Sequence, residues 1–149
     1  MKAQKHLLWA KLALIGWTFL LLAMAPPVVT EKAALKDMVK DRLQEMEVVY
    51  ASRDFEGFIA LLDKDFEPLG NFKNSLQEEF LNRKSLELKF IVDNILKEKE
   101  KILVKLHWFK KYTDPSGKFL KVKGESQFVF FRDSEGLKLL SIRGDNPFF

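Results

Sequence analysis

His107 is the single histidine beyond the first thirty residues, and the 149-residue chain has no cysteine. One imidazole can act as a general base where it meets a substrate, but alone it does not build a transition-metal site. The missing cysteines exclude disulfides, thiolate zinc sites, cysteine nucleophiles and a lipid anchor on cysteine. Asp63-Lys64-Asp65 opens like a calcium loop, yet Pro68 stands where the sharp turn needs glycine, so it reads as the polar end of a helix. No glycine loop that could cradle phosphate occurs. The expectation is therefore no catalytic residue, no metal and no cofactor. A binding set is easier to assemble: Phe90, Trp108 and Phe128 as apolar wall, Asn94 and Ser126 as orienting polar groups, and Tyr112 near a strand end. Apolar walls with few polar groups are what small-molecule pockets look like. The same aromatics could equally fill a core, and both readings stand at this point.

The elements that would position these residues divide the chain into two halves. From Glu31, residues Leu35, Met38, Val39, Leu43, Met46 and Tyr50 recur at three and four, a helical stripe after a Thr30 cap. Ser52 or Asp54 opens a shorter helix carrying Phe55, Phe58, Ile59 and Leu62. Pro68 and Gly70 break the chain, and Ser75-Leu76-Gln77-Glu78 reads as a capping box for a third helix through about Arg83. Beyond it the apolar period becomes two, in strands holding Leu86–Leu96, Ile102–Trp108, Phe119–Arg132 and Leu137–Arg143.

Asp114-Pro115-Ser116-Gly117 and Asp133-Ser134-Glu135-Gly136 share a pattern that suits three-residue hairpin loops. With Glu98-Lys99-Glu100 as a third such loop, Phe90 meets Trp108, Val92 meets Leu106, Trp108 meets Gly124, Leu106 meets Ser126, Val104 meets Phe128, Phe130 meets Leu140, and Phe128 meets Ile142. One slip would turn every apolar side chain to the wrong face. The other face then gains Asp93–Lys105, Glu87–Lys111 and His107–Glu125, which places His107 outward. The fold class is α+β: N-terminal helices packed on a curved four-stranded antiparallel sheet, with Gly124 opposite Trp108 as a bend. The apolar face holds neither carboxylate nor histidine, which argues against acid–base catalysis there.

Tyr50-Ala51-Ser52-Arg53-Asp54-Phe55-Glu56-Gly57-Phe58 and the run Gly136–Asp145 resemble the nuclear transport factor 2-like superfamily, also described as SnoaL-like or cystatin-like cones. The likeness covers roughly Glu31 to Phe148. It implies a cone-shaped α+β barrel, a pocket between helices and concave sheet, and frequent dimerisation. The superfamily hosts isomerases, dehydratases and non-catalytic binding domains, so it implies no reaction.

Residues 1–25 read as a signal peptide or N-terminal membrane anchor: Lys2, Lys5 and Lys11 precede an apolar run to Ala25, and Ala23-Met24-Ala25 resembles a peptidase site. Residues 26–30 form a linker and 31–149 the domain. A membrane is met only through residues 7–25, if they stay uncleaved. Of the formal charge of +4, these three lysines carry three, which leaves the domain nearly neutral and without an electrostatic footprint for nucleic acid. Export without disulfides suggests a bacterial periplasm.

Arg143-Gly144-Asp145 spells an adhesion tripeptide, but it falls at the end of the last strand and reads as a strand terminus, with Phe148 folding back to seal the cone. The chain thus reads as an exported, non-catalytic binding domain that takes a small apolar ligand in the cone or a protein partner on the sheet. A homodimer would pair sheet against sheet through Ile91, Leu103, Phe109, Val129 and Phe131. The competing readings are a pocket enzyme of isomerase or dehydratase type, needing Tyr112, Asp63 or Asp65 turned inward beside Asn94, and a membrane-tethered interaction module.

Overall fold

The computed structural model describes residues 30–149; the expected leader and peptidase site fall outside the described residues. Among the described residues no helix is long and apolar enough to cross a membrane. Three helices come first: α1 (Glu31–Ala51), α2 (Phe55–Ile59) and α3 (Leu69–Asn82). Four antiparallel strands follow in sequential order, β1 (Lys84–Glu98), β2 (Lys101–Thr113), β3 (Phe119–Asp133) and β4 (Gly136–Gly144).

The apolar stripe of α1 lands as its spacing requires. Val39, Leu43, Met46 and Tyr50 are buried, while Leu35 and Met38 are half-buried against the same core. From the flank of this stripe Glu47 reaches the edge strand, accepting the Phe90 backbone N–H at 2.8 Å and Lys89 Nζ at 2.7 Å. One helical carboxylate thus blunts the free edge of β1, where an unpaired N–H would invite another strand. Asp54 caps α2 by accepting the Gly57 N–H at 2.9 Å.

Two helical expectations need correction. Helix α3 starts at Leu69, directly after Pro68, so Ser75-Leu76-Gln77-Glu78 lies inside it and caps nothing. A Ser followed three residues later by Glu is also an ordinary i,i+3 pair on a helix surface. Asp63-Lys64-Asp65 is no helix end either. It turns the chain after a parallel bridge between Leu62 and Leu139: Asp63 N–H donates to the Leu139 carbonyl at 2.8 Å, and Leu139 N–H to the Leu61 carbonyl at 2.9 Å.

In the sheet, Trp108 lies opposite Gly124, Leu106 opposite Ser126 and Val104 opposite Phe128, and the Asp114 loop has the expected three residues. The other two hairpins differ in a common way. Each has a two-residue turn, Lys99-Glu100 or Ser134-Glu135, and each regains one residue at a bulge. In β1 that residue is Asp93, so Phe90–Trp108, Val92–Leu106 and Glu87–Lys111 hold, whereas Lys105 pairs with Asn94 instead of Asp93. In β4 it is Leu140, so Phe128–Ile142 holds while Phe130 meets Leu139 instead of Leu140. A short turn plus a bulge and a longer turn without one give the same register past the bulge.

Candidate functional site

The inner wall of the sheet carries most of the expected binding set. Phe128 is wholly buried, Trp108, Tyr112 and Ser126 nearly so, and Phe90 half-buried. Asn94 does not belong to it. The bulge at Asp93 reverses the alternation, so Ile95 packs on the core while Asn94 is exposed and Val92 largely so. The spent bulge residue finds another partner: Asp93 lies 2.9 Å from His107 Nδ1 on the outer face. His107 faces outward opposite Glu125, as its register requires, but its side-chain bond goes to Asp93.

Gly124 gives Trp108 its place by close approach. A Cβ there would sit 2.4 Å from the indole Cζ2. The indole lies against the bare strand, and its Nε1 donates to Ser126 Oγ at 3.0 Å. Ser126 in turn donates to the backbone carbonyl of Asp145. Asp145 is fixed twice more, its N–H donating to the Glu125 carbonyl at 3.0 Å and its carboxylate accepting the Glu125 N–H at 3.2 Å. The adhesion tripeptide is thereby used up: Arg143 pairs beside Gln127 on the ladder, Gly144 turns the chain at φ 88°, and Asp145 ties the tail down.

That tail fills the cone. Phe148 is wholly buried, its ring centroid 4.7 Å from that of Phe58, 5.7 Å from Tyr50, 6.0 Å from Phe128 and 6.2 Å from Phe90. Phe149, half-exposed, packs edge-on against Phe72 at 5.5 Å.

Behind the aromatic cluster lies a polar group that sequence reasoning missed. Glu79 on α3 is buried, and its carboxylate accepts three hydrogen bonds, from Tyr50 Oη at 2.7 Å, Lys110 Nζ at 3.0 Å and Arg83 NH1 at 3.1 Å, with Arg83 Nε a further ion-pair contact at 3.0 Å. Lys110 is as buried as its partner. The Arg83 guanidinium lies over the Tyr112 ring at 4.1 Å. Burial lowers the pKa of Lys110 against the opposing pull of Glu79, and burial beside Glu79 raises that of Tyr50 far above the usual phenol range. The Tyr50 phenol is held as a hydrogen-bond donor to this carboxylate. The signal was present. Lys110 continues the inward alternation of Leu106 and Trp108, and Glu79 stands three residues after Leu76 and seven after Phe72 on one helical face.

A groove of ≈ 360 Å³ runs past this cluster on the outside, lined by Ser75, Glu78, Glu79, Asn82, Arg83, Pro115 and Phe149. The inward constellation that an enzyme reading needs is not assembled. Tyr112 packs under Arg83, Asp63 Oδ1 accepts the Asp65 N–H at 2.9 Å within its turn, and Asn94 is outside. Among the described residues no group of three His, Cys, Asp or Glu side chains could hold a metal ion.

No protein-family model and no curated protein matches the sequence. Solved structures do. A nuclear transport factor 2-like superfamily protein from Salmonella enterica superposes with a TM-score of 0.64 at 12% identity, over 78% of this chain and 93% of that one. A proposed dehydratase of the same family from Streptomyces avermitilis gives 0.62 at 17% identity, over 72% and 93%. A conserved protein from Planctomyces limnophilus gives 0.64 at 15% identity, over 75% and 98%. The chain has the nuclear transport factor 2-like fold. Within that fold the interior between helices and sheet is where a pocket was expected, and in this chain Phe148 occupies it. The fold does not select a chemistry, which has to be read from the residues.

Proposed function

We propose that this nuclear transport factor 2-like chain is an exported, non-catalytic binding domain that works through the outer face of its sheet, pairing with a second copy. The observation that carries this reading is the burial of Phe148, which closes the interior that a pocket protein would keep open. Apolar side chains stand outside instead. Ile91 is 47% and Phe109 42% exposed, with Leu103 and Phe131 half-buried on the same face and Val129 buried. Large apolar residues grouped on a sheet face among charges mark an association surface.

Native mass spectrometry of the mature protein tests it. A doubled mass at micromolar concentration is expected, reverting to a single one in Phe109→Asp. A monomer at about 100 μM, where a standard-size interface is normally saturated, would sink the reading. The same spectrum, showing a chain beginning near Pro26, is the expected sign of export.

A further inference from the structure

We infer that the uncovered edge of β3, from Phe119 to Lys123, docks an extended segment of another protein as a fifth strand, with acidic side chains at alternate positions set against Lys121 and Lys123. This goes beyond the sheet-face reading and does not depend on it.

The edge exists because β3 outruns its last neighbour. Strand β3 has 15 residues and pairs with β2 from Phe119 to Phe131, whereas β4 has 9 and reaches only Ser126–Asp133. Glu125 is the last residue closed on the open side, its N–H bonded to the Asp145 carboxylate and its carbonyl to the Asp145 N–H. On an antiparallel strand every second residue turns its backbone groups to the same side. Lys123, Lys121 and Phe119 therefore direct theirs where Glu125 does, and among the described residues no backbone group bonds to them there. A row of free N–H and C=O groups is the template onto which an extended chain adds. The edge of β1, by contrast, is met by Glu47 at Phe90.

The side chains state what the added strand carries. Glu87, Lys111 and Lys121 stand in one row across the sheet, and Lys111 Nζ lies 3.0 Å from Glu87. Lys121 thus has a like charge directly opposite on one side, an unfavourable neighbour, and a vacant position on the other. An acidic residue placed there completes the row. Lys123, opposite Phe109, is exposed in the same way, and among the described residues neither lysine has an acidic partner. The two project from one face about 7 Å apart, the spacing of residues i and i+2 in a strand. On the other face Val122 is 37% exposed and Leu120 half-buried, so an apolar residue belongs between the two acids. The partner segment is therefore acidic, apolar, acidic. A second copy fits worse, because its own edge brings lysine against lysine, and edge lysines work against self-pairing.

The experiment titrates the full chain, isotopically labelled, with the peptide acetyl-Gly-Glu-Val-Glu-Val-Gly-amide. Saturable movement of the Phe119, Lys121 and Lys123 amides is expected, together with slower exchange of these amides with solvent. The same peptide with its amides N-methylated keeps the charges but loses the ladder donors, and should bind at least about 10-fold more weakly. A peptide with lysine in place of both glutamates keeps the ladder and should also be about 10-fold weaker or more. Lys121→Glu combined with Lys123→Glu, two exposed positions whose exchange leaves the fold intact, should reverse that preference and leave the native mass of the assembly as in the parent. The inference is overturned if the three amides stay still up to about 5 mM of the glutamate peptide. Equal binding of the methylated peptide would show a surface that selects charge alone, and overturns it too. So does a double variant that keeps the parent's preference, or one that changes the oligomeric state, which would give the edge to a second copy.

Discussion

Tyr50 and Glu79 show how one buried hydrogen bond sets a response to base. In the unfolded chain a tyrosine ionises near pH 10. In the folded chain burial and the adjacent Glu79 carboxylate keep the Tyr50 phenol protonated well beyond that. Above the unfolded value the folded state therefore holds more protons, and stability falls as pH rises by up to about 1.4 kcal/mol per pH unit. Lys110 acts in the opposite sense. Its lowered pKa makes the folded state release its proton first, so its contribution rises with pH until the unfolded lysine also titrates near 10.4. Tyr50→Phe removes the first effect and leaves the second. Urea melts at pH 9 and pH 11 should show a smaller loss of stability in Tyr50→Phe than in the parent. Equal losses would mean that Tyr50 ionises in the folded protein.

Among the elements, β3 is the one whose sequence depends most on its neighbour. Gly124 faces Trp108 with no room for a side chain, because a Cβ would lie 2.4 Å from the indole and 2.8 Å from the Asp145 carboxylate. Gly124→Ala should destabilise by about 2 kcal/mol through displaced packing, read as a drop in denaturant midpoint at unchanged slope. A midpoint within error of the parent would show that the indole rotates aside freely. The sheet also marks where reading the sequence succeeds and where it stops. Alternation along β2 placed Leu106, Trp108 and their partners correctly, because a half-buried strand has one period and a slip is costly. The Asp114 loop was legible from its Pro-Ser-Gly chemistry. The bulges at Asp93 and Leu140 were not, because the residue missing from each turn is restored a few positions on and leaves the far register unchanged. Asn94 was misplaced for that reason, and it alone of the expected binding residues is out of the cone. Lys110 was overlooked because a charge on an alternating strand is ordinarily read as solvated, and only the acidic partner on α3 makes its burial tolerable.

For the molecule as a whole, the sheet and the tail hold the interior closed by unequal means. Strands β1 to β4 are joined by long antiparallel ladders, whereas the segment after Gly144 is held by the few bonds of Asp145 and Asn146 and by one buried ring. Local opening draws on the weakly tied parts of a structure. Amide hydrogen exchange should therefore release Asp145 at a rate independent of denaturant at low concentration, while Leu106 and Phe128 exchange only with global unfolding. A single shared opening energy for all three would show that the tail is as firmly integrated as the strands.

The ring that completes the interior is supplied by residue 148 and rests against Tyr50 and Phe58, some ninety positions earlier in the chain. Contacts of such separation carry a large closure entropy and form after the local hairpins and helices they join. The order of events in folding is then set by the tail. Helices can form and hairpins can pair while the centre still stands open, and the domain acquires its finished interior only when Phe148 comes to rest against Tyr50 and Phe58.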